Sequence, residues 1–247
     1  MPDGLDLMSI KYVGDGRPIS QAFAAVIQGN TMLKHTIALA SFIAGLAGVA
    51  AAEQGDWLVR LRGVVVAPTE NTSDVLPGFP GGRVGVENAF VPELDFTYFF
   101  TRNIAAELIL ATSPHDLVGE GTLSGLGEIA DVMVLPPTLT LQYHFNPGGR
   151  LRPYAGVGVN WSIFYSEDAS AALVGAIGPT SVNVDDSVGV AYQVGFDFSL
   201  SGRWFLNADV KYIQIDTTAT LNTGGTINTV DVDLDPIVAG VGVGFRF

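Results

Sequence analysis

Cysteine is absent from the 247 residues, so disulfides, thiolate metal centres and a cysteine nucleophile are all excluded. Charge is scarce at 15%, and positive charge scarcer: 12 Lys and Arg stand against 25 Asp and Glu, a net −13. A chain so acidic offers no basic stripe to a nucleic-acid backbone, and no nucleic-acid partner is expected. Long apolar runs are also missing beyond one N-terminal stretch, although 48% of the residues are hydrophobic. That rules out a bundle of membrane helices, each of which needs about 20 consecutive apolar residues. No nucleotide loop and no cluster of metal-ligand spacing is present, so no cofactor and no metal are expected. Gly156-x-Gly158 lies inside an alternating segment and reads as wall, not as a phosphate cradle.

What the chain has instead is alternation and 30 glycines. Over the last twelve residues Ile237, Ala239, Val241, Val243, Phe245 and Phe247 point one way, and Pro236, Val238, Gly240, Gly242, Gly244 and Arg246 the other. A period of two marks a strand with unlike faces. A bulky apolar face opposite a slim, glycine-rich one is how the closing strand of an outer-membrane β-barrel reads.

Near the other end, Met32-Leu33-Lys34-His35 gives a short basic start and Thr36 to Val49 an apolar stretch. Ala50-Ala51-Ala52 then supplies a small-residue cleavage site, so 32–52 is expected to be a secretory signal. Residues 1–31 are expected to be an extension from an over-called start, and 53–247 one domain.

Eight alternating segments follow: near Trp57 to Pro68, Val91 to Phe100, Ile104 to Thr112, Leu135 to Phe145, Arg152 to Phe164, Val188 to Leu200, Trp204 to Asp216, and Pro236 to Phe247. Each has about the 9–11 residues of a tilted membrane strand. Three connections are tight, around Arg102, Arg150 and Arg203. Four are long, at 69–90, 113–134, 165–187 and 217–235, and are expected to be loops. Short turns at one end and long loops at the other fit an eight-stranded antiparallel outer-membrane barrel. A soluble β-sandwich alternates as well, but has no reason to sort its connections by end. The long connections carry many acids and a single base, Arg83, so the negative charge falls on the cell exterior. Its plain reading is solvation. Asp231, Asp233 and Asp235 could also bridge a divalent cation to lipopolysaccharide, though no EF-hand spacing is present.

Sorting each segment by its apolar set assigns one face to lipid, with aromatic belts at both ends. Near the short turns the other face carries Arg60, Arg62, Glu93, Asp95, Glu107, His144, Arg152, Asp197, Asp209, Lys211 and Arg246, with the neutral Gln142 among them, five bases against five acids with His144 neutral. Eight strands leave an interior only wide enough for side chains, so these charges should cross-link into a polar plug. Further up, the same face carries Val64, Val66, Ile109, Ala111, Thr138, Ala191, Ile213 and Val238. Either this upper lumen binds small apolar molecules, or bulky loop side chains fill it as core. A barrel enzyme would need a nucleophile and a base. Ser113, His115 and Asp116 lie together, but residues so adjacent cannot all turn inward as a triad, and no catalytic residue is assigned.

Several segments resemble the OmpW family of small outer-membrane barrels, which includes alkane-uptake proteins. The residues that carry the likeness are Leu135-Pro136-Pro137-Thr138, the run Arg152 to Asn160, Ser187-Val188-Gly189 with Gln193-Val194-Gly195, Tyr212 with Ile215 to Ala219, Leu234-Asp235-Pro236, and Gly244-Phe245-Arg246-Phe247. The resemblance implies a hydrophobic lumen closed below by polar side chains. It also implies a passive route for small hydrophobic solutes that enter from outside and leave sideways into the membrane of a Gram-negative cell. Pro136 and Pro137 suit such a lateral gap, because proline donates no ladder hydrogen bond; an ordinary strand start is the alternative. Phe247 would be the signal read by the barrel assembly machinery. A structural or surface-interaction protein is the competing function, with the loops doing the work.

Overall fold

The computed structural model describes residues 53–247; the expected leader and extension lie outside them. β1 (Trp57–Ala67) leads through two short pieces, β2 (Asn71–Thr72) and β3 (Gly82–Val86), into β4 (Ala89–Phe99). β5 (Ile104–Ala111) continues upward as β6 (Ser113–Gly121), and β7 (Glu128–Leu135) returns as β8 (Thr138–His144). β9 (Leu151–Ala169) is a single strand of 19 residues, followed by α1 (Ala171–Ile177), β10 (Thr180–Val184) and β11 (Ser187–Ser201). β12 (Trp204–Ile213) runs on as β13 (Asp216–Thr223), which turns into β14 (Thr226–Asp233) and comes back as β15 (Ile237–Arg246).

Eight of these strands pair antiparallel in the order β1-β4-β5-β8-β9-β11-β12-β15, and β15 pairs back onto β1 from Leu58↔Arg246 to Ala67↔Ile237. The sheet is therefore a closed barrel without a free edge, the arrangement that satisfies every backbone group in lipid. Alternation decides which face is which. Along β1 the even residues Leu58, Arg60, Arg62 and Val64 are buried, while Trp57, Leu61 and Val65 are exposed. Val188, Val194, Val241 and Leu139 are likewise apolar and exposed, as a lipid-facing wall requires. At the short-turn end Trp57, Tyr98 and Phe100 form one chain of ring contacts, and Trp204, Phe245 and Phe247 another, at centroid distances of 4.9–5.2 Å. Among the described residues no helix is long and apolar enough to cross a membrane; the strands cross it.

The glycines of β15 make room inside. A Cβ at Gly242 would sit 2.7 Å from the Arg62 Cα, and one at Gly244 would overlap the Phe205 ring. The slim face of this strand is the space the Arg62 and Phe205 side chains need.

The expectation of four long loops needs correcting. Most of that chain is strand: β3-β6-β7 with the upper part of β9 form one extension of the wall, and β10-β13-β14-β2 a second sheet. The expected fifth segment accordingly runs to Ala169 rather than Phe164, and the expected fourth, Leu135 to Phe145, is two strands interrupted at Pro136 and Pro137. The physical reason is again alternation. Val230 and Val232 turn inward while Asp231 and Asp233 face water, so a strand whose outer solvent is water carries acids where a membrane strand carries valine.

Candidate functional site

The lower lumen is filled by charge. Arg60, with none of its side chain exposed, reaches Asp95 at 2.8 Å, Glu107 at 3.0 Å and Asp197 at 3.2 Å. Arg62, one pleat higher on the same face, reaches Glu93 at 2.8 Å, Asp95 at 3.0 Å and Asp209 at 3.0 Å. Lys211 joins Glu93 at 3.1 Å and Asp209 at 3.0 Å. Ten of the eleven ionisable residues expected in the plug thus lie buried on the inner face, drawn from seven strands. Their roles differ. Arg152 lies under Asp197 at 3.9 Å and over the Phe205 ring at 5.3 Å. His144 packs at a tilt against the Phe99 and Tyr154 rings, with Nε2 against Gln142 Oε1 at 3.1 Å, and makes no ion pair among those described. Arg246 lies at the short-turn mouth, 3.6 Å from Asp56. Neutral partners complete the network: Gln193 donates to Asp209, Gln142 to Glu107, and Asn207 to Asp197, each at 2.9 Å. Gln142 was expected on this face; Gln193 and Asn207 gave no such signal, because an amide on an inner face is ordinary anywhere. The arrangement matters because each buried ion without a partner costs several kcal/mol, so the plug stands or falls as a unit.

Above the plug lies a cavity of about 110 Å³. Of the residues expected there, Val64, Val66, Ile109, Ala111, Thr138, Ile213 and Val238 line it, with the Glu93 and Lys211 pair as its floor. Ala191 is buried in the same cluster but does not line the cavity. Most of the lining was missed: Val84, Val132, Val134, Val182, Leu221, Val230 and Val232 come from the outer strands and line the upper part of the chamber. Their alternation was the available signal. Leu173 of α1 is buried in the outer cluster, and Ser170 caps this helix by accepting from Leu173 N at 3.1 Å.

The wall beside this chamber is interrupted. β5 and β8 pair as far as Ile109↔Thr138, and β6 and β7 resume at Ser113↔Val134 in the same register. Leu110, Ala111 and Thr112 therefore face Pro137, Pro136 and Leu135 with no ladder between them. Pro137 keeps its carbonyl on the other neighbour, Trp161 N at 3.0 Å. By the alternation of a strand, Pro136 faces β5, and it has no N–H to give. Its carbonyl is taken from the lumen side by Asn160 Nδ2 at 3.2 Å and Thr138 Oγ1 at 3.0 Å. The junction of β12–β13 with β14–β15 has the same spacing and is closed. There Ile213 N reaches Pro236 O, Leu234 N reaches Ile215 O, and Asp235 accepts from Ile215 N and the Tyr212 hydroxyl.

A closed barrel, a charged plug, an apolar chamber and a proline-broken wall narrow the comparison with known proteins to small outer-membrane barrels. The sequence profile of the OmpW family matches residues 53–247. The chain belongs to the OmpW family. Outer membrane protein W of Vibrio cholerae is 36% identical, over 87% of this chain and all of its own. The outer-membrane protein y4mB of Sinorhizobium fredii is 39% identical over 80% and 82% of the two chains. The protein PahQ of Pseudomonas aeruginosa, named for a dibenzothiophene metabolism operon, is 29% identical over 87% and 100%. Among solved structures, OprG of Pseudomonas aeruginosa superposes with a TM-score of 0.74 at 32% identity, covering 80% of this chain and 98% of its own. AlkL in lipid bilayers gives 0.64 at 29% identity, covering 82% and 95%. This OmpW-family chain is an outer-membrane protein whose strands sit in membrane lipid.

Two acid groups of this OmpW-family barrel have structural duties. Asp235 is spent on the closed junction, and Asp231 accepts from the Thr218 hydroxyl at 2.8 Å. Among the described residues no three acidic or histidine side chains are grouped to hold a metal ion. Ser113 and His115 do share the inner face, with Oγ and Nε2 2.9 Å apart, whereas Asp116 is exposed on the outer face and completes no triad.

Proposed function

We propose that this barrel is a passive route by which small hydrophobic molecules cross the outer membrane. They enter the apolar chamber from outside, are stopped by the plug, and leave sideways into lipid at the break between β5 and β8. The observation that carries this reading is the chamber itself: valine, isoleucine and leucine above, an ion-paired floor below, and a missing ladder alongside. A solute gains about 0.8 kcal/mol for each methylene kept from water, in the chamber or in the lipid, and nothing by descending among charges. An opening of three residue pairs next to the chamber is the shorter path. The volume suits the scale: apolar cavities of about 150 Å³ take up benzene. The relative from a dibenzothiophene operon supports the same solute class. Lipopolysaccharide around the outer strands and assembly machinery reading Phe247 are the partners this reading implies.

Uptake of a labelled small apolar compound by cells with and without the protein tests it. Ile109→Glu, checked for folding and membrane insertion, should abolish the added uptake by placing a charge in the chamber. Pro136→Val returns the missing donor opposite Ala111 and should slow uptake while leaving binding intact. Equal uptake in all four strains would overturn the transport reading and favour a surface role.

A further inference from the structure

We propose that Ser113 and His115 form a polar subsite in the chamber wall that takes the hydroxyl end of an otherwise apolar solute, an alcohol or a phenol. The proposal rests on the chamber being a solute site and narrows what enters it.

Hydrogen-bond polarity decides the chemistry. The His115 Nδ1 lies 3.2 Å from the Glu87 carbonyl, which can only accept, so Nδ1 carries the proton. Nε2 of the neutral ring is then an acceptor, and the Ser113 hydroxyl 2.9 Å away must donate to it. Burial in the outer wall holds His115 below its ordinary value, which keeps this tautomer in place at neutral pH. What remains unused is the acceptor side of Ser113 Oγ, and both residues line the chamber. Of the other polar groups of the lining, Thr138 is committed as donor to Pro136 and as acceptor to Asn160, and Glu93 and Lys211 to each other; Thr217 donates to the Asp185 carbonyl much as Ser113 donates to His115, but from β13, which does not border the wall break. Ser113 therefore offers the chamber an acceptor and selects a donor. A hydrocarbon or an ether gains nothing there, and a carboxylate would lose its hydration without a partner.

The position adds to the argument. Ser113 is the first paired residue above the wall break, opposite Val134. On the other flank the β4–β5 ladder stops at Glu93↔Ala111, so Thr112 is paired to neither neighbour and its hydroxyl reaches Tyr165 at 2.6 Å. A solute held by its hydroxyl at Ser113 would have its apolar body at the level of the break, oriented to leave tail first.

The test uses the full barrel in lipid nanodiscs and fluorine NMR titration with 4-fluorophenol and 4-fluoroanisole, which differ by the donor. Partitioning into lipid is subtracted with the Ile109→Glu barrel. The wild type should prefer the phenol, Ser113→Ala should cut phenol affinity about threefold to tenfold with anisole unchanged, and Ser113→Thr should restore it, the worth of one neutral hydrogen bond. If both probes bind and Ser113→Ala changes neither, the subsite is wrong while the chamber stands. If neither probe binds the wild type, the chamber reading fails and the subsite with it.

Discussion

Replacing Arg60 with Met removes one cation from a buried network, and the geometry says which anion suffers. Asp95 and Glu107 keep Arg62, at 3.0 and 3.4 Å. Asp197 keeps only Arg152 among its ion-pair partners, at 3.9 Å. It also keeps the Asn207 amide at 2.9 Å, which does not neutralise it. A buried carboxylate left in this way costs about 3–5 kcal/mol. Met matches the length of the removed stem, so little of the loss comes from an empty space. Urea unfolding of the barrel in lipid vesicles, followed by the fluorescence of Trp57, Trp161 and Trp204, measures the loss directly. Arg60→Met with Asp197→Asn restores the charge balance and should recover at least half of it. A loss under about 1 kcal/mol for the single variant, or no recovery in the double, would refute the reasoning.

Two further outcomes follow from the same geometry. Gly242→Ala brings a Cβ to 2.7 Å from the Arg62 Cα and should cost about 1–3 kcal/mol by the same unfolding assay. His115 has a folded pKa below its unfolded one, so at high pH both states are neutral and no difference exists. As pH falls below about 6.5 the unfolded chain protonates first, and the folded barrel loses stability until pH passes the lowered folded value. Stability against pH for wild type and His115→Gln should diverge only below that point; parallel curves would contradict the buried, neutral ring.

The two-sided wall, the strand count and the inner-face position of the charged residues were legible in the sequence because lipid and lumen are such different solvents. One demands bulky apolar side chains at every second position, and the other demands slim or paired polar ones. Val230-Asp231-Val232-Asp233 carried the same period, but its outer solvent is water, so the strand looked like an acidic loop. What depends on two strands meeting could not be read at all. The partners of Arg60 lie 35, 47 and 137 residues away, and an inner-face charge does not name its neighbour. Pro136 announces a missing donor, yet a wall break exists only where register sets it opposite Ala111 and Asn160 takes its carbonyl from within. Ser113 and His115 share a face by spacing alone; their polarity is fixed by the Glu87 carbonyl, supplied by the chain just beyond β3. Period-two chemistry is local and belongs to the sequence. Register, partner and cavity arise when the sheet closes, and belong to the tertiary structure.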